Sequence, residues 1–505
     1  MVTAADRLPV FDIRIDGSAL APRWIDGFAA LRVQQHLSQP ALCELSFAVL
    51  DGAVGELPFA LGARVKITPR DAPLALFDGR ISAISQGHDA TRGVTLTVRA
   101  YDDLIVLRNR QTVRAHVGLT AAELAGELVA DLGLAVDAAA PGPVFPRLLQ
   151  TGTDFDLLLD VVQRCGLYLA VQDGELRLLT LAGRGETVSL TLHEDLLEAH
   201  IEANTLGACR AVHTGGWNPW RGVAHGASAG SARSGRDARL QTAASQAGGG
   251  DERTLLGESF QDDAQAQAWA QADLDARRAQ ELVFSGVALG NPALRPGARV
   301  RVGGVAAALS GTYVIASALH TLDAERGFQS EVSSALPPPR VREQGLRMSL
   351  GQVTRIDDPD HLGRLKVALP ALGDLESDWL QFLAAGAGQG KGLVAPPDIG
   401  DLVLLILERA DPVQAVVLGS LYGEHGLPAD SDVFGPDASF CFLSPGGQRV
   451  RLDDRTKTLR MEIAAGSSLE MSPQATTLHS ATPLTIEAPG RNLVIRARHI
   501  DFERG

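Results

Sequence analysis

Apolar and polar residues alternate along the first hundred positions of the chain. From Phe11 to about Tyr101, "FDIRIDG", "ARVKI" and "GVTLTVRAY" repeat with period two between recurrent turn residues, which predicts antiparallel strands with one buried face. The period then changes. In "LTAAELAGELVADLG", Leu124, Leu128 and Leu132 recur at four-residue steps, Thr120 and Glu123 have capping-box spacing, and Gly133 supplies the stop, so a helix is predicted. A second helix is expected in "TDFDLLLDVVQRCG", from Thr153 to Gly166. The hairpin "LYLAVQDGELRLLTL" follows, turning at Asp173-Gly174, a dipeptide that tolerates the positive φ of a type I′ turn.

Residues 220–252 are rich in Gly, Ala and Ser with little apolar to bury, which reads as a mobile loop. Helical spacing returns in "DDAQAQAWAQADLDARRAQ": Asp262 and Asp263 sit at the positive end of the helix dipole, Arg277 and Arg278 at the negative end, and Ala266, Ala270 and Leu274 share a face. Strands resume with "ELVFSGVALG", "ARVRV", "TYVIASALH" and "GFQSEV". "LPPPR", from Leu336 to Arg340, suits neither a helix nor a sheet interior and marks a linker.

Five strand candidates follow within about eighty residues: "LGQVTRI", "GRLKVALP", "SDWLQFLAA", "DLVLLILE" and "PVQAVVLGSLY". Such a unit suits a small closed barrel of OB type. From about Ser439 the pattern changes again, to strands of four to eight residues about every eight positions, through "QRVRLDD", "TLRMEI", "SLEM", "PLTIEA" and "NLVIRARHIDF". One chain of this length has too few turns to close its own core there.

Composition narrows the function classes. A chain of 505 residues implies several domains, 45% hydrophobic residues fit a globular protein, and no apolar run approaches a membrane span. The first residues lack the basic start and apolar core of a signal peptide, so synthesis in the cytoplasm is expected. A net charge of -14 argues against general nucleic-acid binding, because neutralising phosphates takes concentrated Lys and Arg. Cys43, Cys165, Cys209 and Cys441 lie far apart and read as buried free thiols rather than a disulfide framework or a zinc site.

Four motifs invite a chemical reading, and each has a simpler account. "GAGQGKG", from Gly386 to Gly392, departs from a phosphate loop: Ala385 stands at the first glycine position, Gly392 replaces the hydroxyl residue, and the chain continues into "LVAPP" rather than a helix. Lys391 is expected to be a solvated surface charge. "GASAG", Gly226 to Gly230, matches a nucleophile elbow around Ser228 but lies in the Gly/Ala/Ser-rich stretch, not between a strand and a helix. Asp357, Asp358, Asp360 and His361 could ligate a cation, yet Asp and Pro are the residues of a hairpin tip, and a solvated turn is the expectation. His479 and His499 could meet around a threefold axis, although a lone strand histidine is usually structural. No catalytic, cofactor-binding or metal-binding residue is assigned, and no cofactor is expected.

In order along the chain, these features resemble the hub-and-spike proteins of contractile injection machines: VgrG spikes of type VI secretion and their counterparts in phage tails and extracellular particles. "FDIRIDGSAL" with "ALCELSFAVL" looks like a first hub barrel, and "TGGWNPW" like the family's G-W-[DN]-P step. Gly290, Asn291, Pro292, Pro296 and Gly297 match a phage-type signature of the second hub barrel. Gly363, Arg364, Pro397, Gly400, Asp401, Pro412, Gly419, Ser420 and Tyr422 match the pattern of the spike's OB barrel, and "SPGGQRVRLDD" looks like the start of its trimeric β-helix.

The resemblance implies a mainly β fold: a first hub barrel at 1–105, a helical and hairpin insertion at 106–200, a second hub barrel at 201–335, a linker at 336–347, an OB fold at 348–424, a linker at 425–438 and a trimeric β-prism at 439–505. It implies a homotrimer, in which apolar positions such as Leu459, Met461, Ile463, Leu469, Leu484, Ile486, Leu493 and Ile495 are buried by partner chains. It also implies a non-enzymatic role on the inner tube and baseplate, with a PAAR-type tip protein, effector cargo and a target envelope as further partners. No lysozyme domain fits in the "GEHGLPADSDVFGPD" connection, and "ARHIDFERG" departs from the His-x-His iron site of some phage spikes. A phage tail or extracellular particle fits the hub signature better than a type VI spike. The rivals are an envelope hydrolase and an OB-fold module for oligosaccharide or nucleic acid.

Overall fold

Alternation in the amino-terminal half and in the strands near residue 320 is resolved by a single pairing. In a computed structural model, the strand Phe28–His36 lies antiparallel to Ser317–Asp323, with Leu31 opposite Leu322 and Val33 opposite His320. The structure describes residues 11–503 except 50–56, 58, 71–72, 90–92, 206, 219–222, 339–344, 409–410 and 429–438. Strands make up 46% of it and helices 13%. It divides into two compact units, Met1–Leu421 and Tyr422–Gly505.

That pairing unites eleven strands into one sheet. On one side of it lie Leu42–Val49, Gly93–Tyr101, Phe77–Asp89, Arg64–Pro69, Phe11–Ile15 and Ser18–Ala19; on the other lie Gly327–Ser333, Leu282–Leu289 and Leu196–Ala203. Each side has its own core. The first gathers Phe11, Trp24, Leu31, Phe47, Phe59 and Leu96, and takes in Leu322 from the other side. The second gathers Leu196, Phe284, Leu294, Val302, Tyr313 and Val332, and is closed by a second sheet of Arg184–Thr191, Ala298–Gly303 and Gly311–Val314. "TYVIASALH" therefore supplies two strands in different sheets, with Ile315 and Ala316 at the step between them. The Gly290 signature has a packing reason: a Cβ there would fall 1.9 Å from the Phe328 ring.

Along the chain between the strands of the two halves, residues 104–179 form helices and short strands around their own core. The predicted helices are Ala121–Val129 and Asp154–Arg164, both closed by capping boxes, from Thr120 with Glu123 and from Thr153 with Asp156. The hairpin of Tyr168–Gln172 and Glu175–Leu179 turns through Asp173 and Gly174, both at positive φ. Short helices at Pro22–Asp26 and Leu104–Asn109 carry no such caps and leave no periodic trace in the sequence.

The expected loop at 220–252 is corrected where it is described. Val223–Ala229 is a strand beside Ala211–Asn218, and the helix Asp263–Gln280 packs over this sheet through Ala270 and Leu274 onto Val212 and Ala229. Small residues do not signal mobility here; they let the helix approach the sheet. The following stretch is also tied down: Gly235 N donates to Leu181 O at 2.7 Å, Leu240 N to Ala308 O at 2.8 Å, and Arg233 pairs with Asp275.

The OB unit is a five-stranded antiparallel sheet of Leu346–Arg355, Lys366–Leu369, Leu375–Glu376, Leu402–Glu408 and Asp411–Leu421 around Val353, Val367, Leu380, Val403, Leu405 and Val417. The expected strand in "SDWLQFLAA" is absent as a continuous element. Only isolated bridges at Leu380 and Phe382 hold it, and the pair Leu375–Glu376 is the fifth strand. Leu149 packs against this core, and Arg147 donates to the Glu376 carbonyl at 2.5 Å.

The carboxy-terminal unit is an antiparallel meander of Ser439–Leu443, Arg449–Asp453, Thr458–Glu462, Ser468–Met471 and Thr476–His479. The strands expected in "PLTIEA" and "NLVIRARHIDF" do not form, because an extended segment becomes a strand only beside another that completes its hydrogen bonds. The linkers expected at 336–347 and 425–438 fall partly outside the described residues.

His320, fully buried beside the Ser330 hydroxyl at 2.8 Å, gives the sheet junction a pH dependence. Burial pushes its pKa down to about 4, so between the unfolded value near 6.5 and 4 the unfolded chain binds the extra proton. Stability from a neutral His320 is thus complete above pH 6.5 and lost as pH falls toward 4. Buried Asp102, pushed up to about 7, acts in the opposite sense over an overlapping range, so the test is a difference. From pH 7 to 4 the wild type should lose on the order of 3 kcal/mol more than His320→Gln in urea unfolding. Parallel pH curves for the two proteins would remove His320 as the cause.

Candidate functional site

The register of the carboxy-terminal sheet separates its two faces by chemistry. One row across the five strands is Phe442, Val450, Met461, Leu469 and Leu478, and the next is Phe440, Leu452, Leu459, Met471 and Thr476. The row between them points the other way and reads Cys441, Arg451, Arg460, Glu470 and Thr477, with Arg460 bound to Glu470 at 3.0 Å and to Glu462 at 2.8 Å. Nine apolar side chains thus share one face, and Phe440 is 70% exposed, Phe442 58% and Leu478 58%. Beyond them Leu484, Ile486, Leu493 and Ile495 are exposed as well. An uncovered apolar face of this extent is an interaction surface.

The acidic turn of the OB unit is a closed knot rather than a cation site. Asp358 accepts hydrogen bonds from the backbone N–H of Asp360 at 3.1 Å, Leu362 at 2.9 Å and Arg364 at 3.2 Å. It also takes the Arg364 guanidinium at 2.7 and 3.0 Å, and Arg364 reaches on to Asp360 at 2.7 Å. Hydrogen bonding from Arg364, with the backbone donors, holds the Asp358 carboxyl far below the usual carboxylate range. Both side chains are buried, which corrects the expectation of a solvated turn. Gly363, at φ 72°, brings the Arg364 N–H back onto the carboxylate. Asp357 pairs outward with Arg355, and His361, at φ 55°, donates its backbone N–H to the Asp358 carbonyl at 3.1 Å.

The glycine-rich run is a small closed hairpin. Gly388 and Lys391 exchange backbone hydrogen bonds at 3.1 and 3.2 Å, and Leu393 N donates to Ala385 O. A phosphate loop leads into a helix start, and this run continues into an extended segment instead. Trp379 in the same unit carries Arg355 and Lys366 against its ring, both cations about 5.3–5.4 Å from the centroid.

Ser228 meets a partner that the sequence did not disclose. It lies opposite His213, with Oγ 2.7 Å from Nδ1, and His213 Nε2 is 3.6 Å from Glu252. The order serine, histidine, carboxylate is that of an acyl-transfer site. The setting is not: the serine lies within a regular antiparallel ladder, last but one in its strand and on an exposed sheet face, rather than on a strained strand-to-helix turn. Cross-strand pairing on a flat face accounts for the contact. His479 ends the last strand, and His499 stands 3.4 Å from Asp501. Among the described residues no group of three or more His, Cys, Asp or Glu is placed to hold a metal, and the four cysteines are free, Cys441 only partly buried.

Comparison with known proteins agrees with this architecture. The family model of the type VI secretion system/phage-baseplate injector OB domain matches residues 349–422. That of the Alg8 N-terminal domain matches residues 52–324, more than half of the chain. The chain belongs to the Alg8 N-terminal domain family. No curated protein sequence matches it. Among solved structures, the E. coli c3393 protein, described as a type VI secretion component with structural similarity to the T4 tail proteins gp27 and gp5, has a TM-score of 0.53 at 12% identity, over 81% of this chain and 99% of that one. A chain of the Francisella PdpA-VgrG complex has a TM-score of 0.52 at 9% identity, over 93% of this chain and 79% of that one. At such identities the likeness is one of fold. The resemblance to VgrG-like spikes read from the sequence is borne out.

Replacing Asp358 by Ala should destabilise the OB unit by about 3 kcal/mol, since it strands a buried guanidinium and three N–H donors. Lys391→Ala should change stability by less than ~0.5 kcal/mol. Thermal unfolding compares the two, and similar losses in both would refute the assignment of the turn as the structural knot.

Proposed function

We propose that the chain is a structural spike and hub of a contractile injection machine and that it acts as a homotrimer. The uncovered apolar face of the carboxy-terminal sheet carries this reading. A five-stranded meander cannot cover that face itself, whereas three copies around an axis would turn three such faces inward. The exposed apolar residues from Leu484 to Ile495 then become strands by pairing with neighbouring chains, forming a β-prism. The paired halves of the large sheet, two per chain in three chains, suit a ring of pseudo-sixfold symmetry seated on a hexameric inner tube.

In this reading the mechanism is mechanical. Sheath contraction drives the spike into a target envelope, with the prism resisting unfolding because strands of all three chains must part together. A PAAR-type cone at the tip, baseplate neighbours and effector cargo are the further partners. Assembly would be cytoplasmic, and the finished particle a phage tail, an extracellular particle or a secretion apparatus. No step requires a cofactor or an enzymatic residue. The hydrolase alternative rests on the Ser228–His213 contact, whose exposed, flat setting does not favour it.

Light scattering of the full-length protein should give three times the 53.2 kDa of one chain, and a stable monomer at micromolar concentration would defeat the proposal. Met461→Asp, which places a charge in the middle of the apolar face, should weaken the trimer; unchanged association would exclude that face as the contact. Truncation after Tyr422 should leave a folded remainder that trimerises poorly. Peptidoglycan and ester hydrolysis should be undetectable, whereas activity lost in Ser228→Ala would establish the enzyme reading instead.

A further inference from the structure

A second buried charge cluster lies where the segment near residue 235 crosses the carboxy-terminal end of the long helix. Glu281, 1% exposed, takes Arg236 Nη2 at 2.9 Å and Arg278 Nη1 at 2.9 Å on each oxygen. Two guanidinium groups thus share one carboxylate, leaving one positive charge in excess. The Arg236 side chain is only 10% exposed, and its Nη1 is buried without a hydrogen-bond partner. A buried donor left unpaired costs about 1–3 kcal/mol, and more when the donor is charged. Burial, with the Arg278 charge nearby, holds the Arg236 guanidinium below its ordinary pKa in spite of Glu281.

Arg236 lines a cavity of about 20 Å³ together with Ser234, Leu282, Tyr313 and Ser334. The Tyr313 hydroxyl donates to Leu309 O at 2.6 Å, while the Ser334 hydroxyl accepts from Phe284 N at 2.9 Å and keeps its own proton to donate. The volume is enough for a single small occupant. Arginine and serine can all donate to that occupant. Water would fill the space but would leave the excess charge uncompensated.

We propose that this cavity binds a single halide ion, chloride under ordinary conditions, through Arg236, Ser234 and Ser334. The ion neutralises the Arg236–Glu281–Arg278 cluster and ties the segment at Ser234–Arg236 to the end of the strand at Ser334, where the chain leaves the large sheet. The site is independent of trimer formation, so either proposal can fail alone.

Full-length protein is melted in sodium chloride, sodium bromide and sodium gluconate at equal ionic strength. The midpoint should be about 2 °C or more higher, and saturably so, in the two halides, and Arg236→Met should abolish the difference. Crystals grown in bromide should show anomalous density beside the Arg236 guanidinium. Equal midpoints in all three salts, or a halide gain kept in full by Arg236→Met, would overturn the proposal. If that variant does not fold, the bromide experiment on the wild type decides: a cavity without a bromide peak holds water alone, and the halide site is wrong.

Discussion

The ladder between Phe28–His36 and Ser317–Asp323 is the interaction on which the larger unit depends. It joins segments nearly three hundred residues apart, so the chain between them must return to the sheet after each departure from it. The helices and short strands at 104–179, the sheet over the long helix and the strands that close the second core are all excursions from this seam. The cost of closing so long a loop grows only slowly with its length, and each excursion offsets it by burying a core of its own. At the seam Leu322 crosses into the first core and His320 is sealed without a charge. A mainly β architecture with two linked cores follows from that one pairing.

The two units solve the same problem in opposite ways. Sheets of the larger unit cover their apolar faces with another sheet or a helix, as Ala270 and Leu274 do over Val212. In the smaller unit the alternation is as regular, yet Phe442, Met461 and Leu478 on its apolar face are exposed. An exposed apolar face of this kind is the feature on which the proposed trimer rests. The polar side fits this division, because Arg460 with Glu462 and Glu470 forms a charged surface suited to solvent.

The acidic turn shows how residue types that suggest chemistry can serve architecture. Asp358 has every requirement of a cation ligand except vacancy: three N–H groups and a guanidinium already fill its oxygens. Ser228 shows the converse. Its histidine and carboxylate neighbours are present, but the surroundings that would make the serine a nucleophile are not. Composition and spacing identify donors and acceptors; only the surroundings say what those groups are free to do.

Much of this was legible in the sequence because it is local. Capping boxes at Thr120 and Thr153, the Asp173-Gly174 turn and the alternating strands depend on neighbours a few positions away, and they form as read. Within the segment expected as a loop, Val223–Ala229 misled because poverty in apolar residues suggests a loop, whereas here small residues such as Ala229 pack beneath a helix. The last two strands failed for a related reason, since a strand exists only with a partner, and the tryptophan segment makes only isolated bridges to two different segments. What the sequence by itself determined was the period of each segment and hence the kind of element and which side chains share a face. What only the tertiary structure decided was register and company: Leu31 against Leu322, Asp358 inside its turn, Ser228 beside His213, and an apolar face left open. Those depend on contacts between residues far apart in the chain, and local spacing carries no record of them.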